Sequence, residues 1–226
     1  LEIAGIDATT PNPSGGEILH NSDGEPSGVL VDNAMDLVAV HIPDYSDERL
    51  EIMLTDAMNE CARAGLTELH DMDVPVDYVD KFIELDNAGK IKQRIRAYAS
   101  AQNDQYLNKG LEPYKGRNFH LAGIKFFVDG ALGSRGAALA EPYSDDKNTK
   151  GLYLIEENEL YDKICKGIEL GFEIATHAIG DAANNTILNV YEKVRRKYGY
   201  EPILRIEHAQ TLLPDDIERI AKLDIK

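Results

Sequence analysis

The chain has no tryptophan, only two cysteines, and no apolar run that approaches the roughly 18 residues of a membrane-spanning helix. It is also short of cations. Against 40 Asp and Glu stand 24 Lys and Arg, a net charge of -16 at neutral pH. Phosphate backbones and anionic membranes are bound by clustered Lys and Arg, so this balance argues against a nucleic-acid or membrane partner. The one basic run, from Lys193 to Lys197, reads as a solvated helix end. Cys61 and Cys165 sit far apart in helical patterns and read as reduced, buried thiols of a cytoplasmic protein, not as a disulfide or a metal pair. No G-x-G-x-x-G or Walker loop occurs, which weakens a nucleotide-binding reading. No secretory leader pattern is present, although the chain opens on Leu1 and not on Met, which leaves a processed or truncated N-terminus open.

What remains is an ordinary globular composition in 226 residues, enough to bury a sizeable core. Residues 1–44 are rich in turn formers ("TTPNPSGGEI", "NSDGEPSGV") and are expected to form an irregular excursion with at most one hairpin. From residue 45 onward helix and strand patterns alternate. "SDERLEIMLTDAMNECARAG" has an N-cap in Ser46, an apolar stripe through Leu50, Met53, Leu54, Ala57, Met58 and Cys61, and a stop in Gly65. Then come "LTELHD" (strand), "PVDYVDKFIELDNAG" (helix), "RIRAYAS" and "GIKFFVDG" (strands), "ENELYDKICKGIELG" (helix), "FEIATHA" (strand), "DAANNTILNVYEKVRRKYG" (helix), "PILRIEHA" (strand) and "LPDDIERIAKL" (helix). Such alternation implies parallel strands joined by right-handed crossovers. A doubly wound sheet and a (β/α) barrel both fit. About five strands fall short of the eight of a barrel, and "KLDIK" reads as the run-in to another strand, so residues 45–226 are expected to be part of a larger barrel.

Lys125, His177 and His208 lie at or near the C-terminal ends of predicted strands, where barrel enzymes gather their catalytic groups. The two histidines are 31 residues apart, one βα unit, so neighbouring strands would bring their imidazoles together. Two imidazoles and an oxygen ligand suit Zn²⁺ or a similar divalent metal. Strand parity turns Ile174 and Thr176 to the helix layer if His177 points inward, and Ile124 and Phe126 likewise if Lys125 does. The same reading with His208 inward sends Arg205 and Glu207 to the helices. Simpler roles compete: Lys125 as an edge residue, Asp129 as a turn residue, Asp181 as an N-cap. His70 ends a strand and is a weaker site candidate. His20, His41 and His120 read as surface residues.

"GIKFFVDGALGSRGAAL", "THAIGDAA" and "RIEHAQ", in that order, closely resemble amidohydrolase family 3, the YtcJ-like metal-dependent hydrolases. "GIDATTPNPSGGEI" and "GLTELHDM" extend the resemblance over nearly the whole chain. It implies a metal-bearing (β/α)₈ barrel that hydrolyses a C–N bond of an amide or N-formyl compound with metal-activated hydroxide. It further implies that His177 and His208 are metal ligands from strands five and six. Lys125 stands where a lysine is often N-carboxylated to bridge two metals. Arg135, in the Gly-rich loop with Gly130, Gly133 and Gly136, would bind a substrate carboxylate or carbonyl, with Asp129 beside it as a further catalytic candidate. Superfamily members also carry an H-x-H pair on the first strand and a catalytic Asp on the last. Neither is found here, so the chain is expected to cover about strands two to six and to be inactive alone. A phosphotriesterase- or lactonase-like hydrolase, or a non-catalytic regulatory barrel, remains an alternative. Exposed sheet edges favour a homo-oligomer.

Overall fold

In this chain, apolar strands alternate with amphipathic helices, and the sheet they build is parallel. The computed structural model describes residues 1–226. Its strands are β1 (Gly16–His20), β2 (Pro26–Asp32), β3 (Glu68–Val74), β4 (Arg94–Ser100), β5 (Tyr114–Lys115), β6 (Phe119–Phe127), β7 (Glu173–Ala178) and β8 (Leu204–His208). Its helices are α1 (Asp36–Ala39), α2 (Asp47–Arg63), α3 (Val79–Asn87), α4 (Gln105–Asn108), α5 (Glu157–Glu169), α6 (Asp181–Tyr198) and α7 (Pro214–Lys222). None is long and apolar enough to cross a membrane.

Strands β3, β4, β6, β7 and β8 pair side by side in that order, all parallel, and β5 adds an antiparallel rung to β6. The sheet curls into half of a barrel, as the sequence leads one to expect. Arg205 on one edge strand reaches across the concave face to His70 on the other, with Nη1 3.2 Å from Nδ1, and its guanidinium passes 5.4 Å from the Tyr98 ring. Lys226 continues the ladder beyond β8, its backbone bonded to Leu204 and Ile206. Residues 1–44 contain the antiparallel β1–β2 hairpin, closed over a small cluster of Ile6, Ile18 and Ala34.

The main core, a cluster of 28 buried residues, lies between the convex face of the sheet and the helices. Ile124, Phe126, Ile174 and Leu204 project into it from the strands; Ile164, Ile187 and Val190 meet them from α5 and α6. Stacked Phe82 and Phe119 rings, 4.9 Å apart, fix α3 on β6. The buried Tyr191 hydroxyl links α6 to two strands, donating to the Arg205 carbonyl and pairing with the Thr176 hydroxyl. On the concave face a smaller group of Tyr98, Ala122 and Ala175 fills the interior. A Cβ at Gly123 would meet the Tyr98 ring at 2.4 Å, so only glycine fits there.

Several local expectations change. Ser46 does cap α2, accepting the Arg49 amide, but only Leu50 and Met58 of its stripe are buried, because α2 precedes the edge strand and its neighbour is α3. β3 runs on to Val74, so His70 lies within the strand, near Glu68, and not at its end. Arg205 and Glu207 do not face the helices. They pair with Ala175 and His177 in register, on the concave side, while Ile206 packs on the core. His120 is not a surface residue: β6 begins earlier than its apolar run indicates, and His120 Nδ1 accepts from Arg96, which also pairs with Glu173.

Burial, and then the Arg96 guanidinium, hold the His120 pKa below 6.5. A histidine whose folded pKa is lowered costs stability as pH falls through its unfolded value, because the unfolded chain takes the proton first. We therefore expect stability to drop between about pH 7.5 and about pH 5.5, and expect His120→Gln to lose less over that range. Urea midpoints of both proteins at the two pH values check this, and equal drops would refute it.

Candidate active site

The strand ends converge on a cavity of about 520 Å³ lined by Asp32, Asp73, Phe127, Asp129, Gly130 and His177 among others. His177 points inward from β7 and is 9% exposed. Its Nε2 lies 3.3 Å from the Gly130 carbonyl, which can only accept, and 3.5 Å from Asp129 Oδ1. Nε2 therefore carries the hydrogen. Burial, and secondly Lys125, lower the His177 pKa to about 4, so the ring is neutral near pH 7 and Nδ1 presents a lone pair.

His208 reaches the same place by a different route. In register it faces Ala178, which would send its ring outward. Its φ of 78° and the φ of 43° at Ala209 end the strand in the left-handed region. The His208 ring lies edge-on to His177, with centroids 4.6 Å apart. Lys125, 3% exposed, packs its Nζ 3.6 Å from the Phe127 ring centroid and has one long bond, to the Phe126 carbonyl. Burial lowers its pKa to about 8, against the pull of Asp73 and Glu207, so a neutral amine is accessible at mildly basic pH.

Asp129 is far more than a turn residue. It is fully buried, and its carboxylate accepts from the amides of Ala138, Ile179 and Gly180 at 2.8–3.0 Å. Burial pushes its carboxyl up and the three amides pull it back. Asp181 is the first residue of α6 and not its cap, which is Gly180; its carboxylate accepts from Ala140. Arg135 is held away from the cavity in an exposed pair with Asp145. The space above Gly130 and Gly136 is taken by the Asp32 carboxylate, with Oδ2 2.3 and 2.2 Å from a Cβ built at the two glycines.

Sequence reasoning missed Asp32, Asp73 and Asn184. The first two adopt positive φ (49° and 90°), and each has one buried carboxylate oxygen without a hydrogen-bond partner. No local pattern marks such residues. Asn184 had a signal in its place one turn into a helix: its amide bonds the carbonyls of Ala178, Ile179, Gly180 and Thr211, bracing the turn after His177.

The donor set suits a divalent metal in part: two adjacent imidazoles, one fixed in its ligand tautomer, beside a buried amine. No three His, Cys, Asp or Glu side chains converge as a complete ligand set. Asp129 is the anchor of this arrangement. Asp129→Asn places an amide N–H₂ against buried N–H donors, and we expect it to cost about 3 kcal/mol, read as a lowered denaturant midpoint in metal-free protein. A loss below about 1 kcal/mol would refute the anchoring role.

Comparison with known proteins follows the same lines. The chain is 37% identical to YtcJ of Bacillus subtilis strain 168, which carries an amidohydrolase name, over 100% of this chain and 43% of that protein. It is 29% identical to an N-substituted formamide deformylase of Arthrobacter pascens, again over 100% of this chain and 43% of the relative. A metal-dependent hydrolase of uncharacterised activity from Pyrococcus horikoshii superposes with a TM-score of 0.78 at 28% identity, over 92% of this chain and 43% of that one. The chain thus spans less than half the length of these relatives. The amidohydrolase family profile (family 3) matches residues 1–226. By that match over its whole length, the chain belongs to the amidohydrolase family.

Proposed function

We propose that this chain forms the metal-binding arc of a hydrolase that cleaves a non-peptide C–N bond, of the amide or N-formyl type. The observation that carries the reading is the pair of imidazoles 4.6 Å apart, with His177 buried and neutral. His177 would offer Nδ1 and His208 a ring nitrogen to a divalent metal, Zn²⁺ by ligand preference. Lys125 is placed to contribute once its amine is neutral or carboxylated. When bound, such a metal acts as a Lewis acid and acidifies water toward a pKa of about 7.

The residues of this chain do the rest. The Gly130 carbonyl and Asp129 hold the His177 ring in one tautomer and one orientation. Phe127 packs against both Lys125 and His177, its ring 5.2 Å from the imidazole, and fixes the two side chains relative to each other. The loop after β6 is pinned by Asp129, so the carbonyl that orients His177 does not drift. The deformylase relative supports the C–N class and the Pyrococcus neighbour supports a metal.

The test is metal content of the full-length protein by plasma mass spectrometry, beside a His177→Ala/His208→Ala variant. Hydrolysis of N-substituted formamides is measured in parallel with the matching esters. We expect stoichiometric metal and formamide cleavage in the wild type, both lost in the variant. Unchanged metal in the variant would refute the ligand roles; cleavage of esters alone would refute the C–N assignment.

A further inference from the structure

The hairpin segment contributes a wall to the cavity, and its most unusual member is Asp32. The residue ends β2 in a left-handed conformation (φ 49°) that an L-residue adopts only at a cost. That conformation seats the carboxylate against Gly130 and Gly136, where no Cβ fits. No protein donor meets it there: Oδ2 is buried and without a partner, and burial pushes the carboxyl up from its usual range. Asp32 as a whole is half-buried: Oδ2 lies against the glycines, and the rest of the carboxylate, which meets no protein donor either, is left to a donor arriving through the cavity that Asp32 lines. Its surroundings match in sign. Asp36, Asp73 and Asp129 also line it, and its one ammonium in the lining, Lys163, is already engaged by Asp104 and Glu159.

We propose that Asp32 is a specificity residue: its carboxylate receives an ammonium or N–H donor carried by the substrate beside the scissile bond. The preferred substrates are then amides bearing an amine, and those bearing a carboxylate at the same position are excluded. This rests on the C–N reading above, and it reverses the expectation that Arg135 recognises a carboxylate, since Arg135 is spent on Asp145.

The test is equilibrium binding by calorimetry to the full-length, metal-loaded protein, which needs no turnover. The probes are 4-aminobutanamide, its neutral isostere pentanamide, and the acidic counterpart succinamate. We expect the amine to bind at least about tenfold tighter than pentanamide, the range of one charge-assisted hydrogen bond, and succinamate to bind weakest. Asp32→Asn and Asp32→Ser should abolish the preference while keeping the pentanamide affinity; Asp32→Glu should retain part of it. Circular dichroism establishes that each variant is folded. Equal binding of the three probes by the wild type overturns the proposal. So does a preference that survives in the folded Asn and Ser variants. Equal weakening of all three probes would assign Asp32 to loop packing alone, which also overturns it. Ester cleavage without amide cleavage would sink the C–N reading separately, and the ligand preference would still be read on its own.

Discussion

Asp129 ties the loop after β6 to the turn after β7, and the geometry around His177 hangs on that tie. One carboxylate takes amides from Ala138, Ile179 and Gly180, and the Ala138 carbonyl and the Ala140 amide reinforce the tie through Ala182, Ala183 and Asp181. Its position is costly, since it is a fully buried anion. Three short amide bonds offset that cost only while both loops keep their places. The fourth contact of the group, to His177 Nε2, then follows from the backbone arrangement. Rigidity of the site and burial of the charge are two results of one arrangement.

The α/β class and the half-barrel were legible because the convex side of the sheet obeys simple alternation. Ile174 and Thr176 turn to the helices, and Ala175 and His177 to the interior, as period-2 parity requires. The same rule failed one strand later. It assigned Arg205 and Glu207 to the helix side because it took His208 as an in-phase residue. His208 adopts positive φ, and a left-handed residue breaks phase without changing the residue pattern. Asp32 was illegible for another reason: it lies nearly a hundred residues before the glycines that receive it, and no local period links them. The glycines of the loop from Gly130 to Gly136 were read as a substrate-binding loop, whereas two of them receive the Asp32 carboxylate.

Asp32, Asp73 and His208 all adopt positive φ. Each such conformation is held by its surroundings, and strain of this kind gathers where side chains must be aimed against the local chain direction. The sheet supplies position; these departures from regular geometry supply direction. The acidic lining around them gives the cavity one sign, in keeping with the net charge of -16 of the whole chain.

The bond from Arg205 to His70 joins residues 135 positions apart, from one rim of the arc to the other. Closing so long a loop is slow in entropy terms, and the contact can form only after β4, β6 and β7 have assembled between its ends. Its kinetic meaning is that the two rims are tied to each other late. Parallel strands twist as soon as they pair, so the trough is built into the ladder itself, and this late contact latches its two rims rather than shaping them.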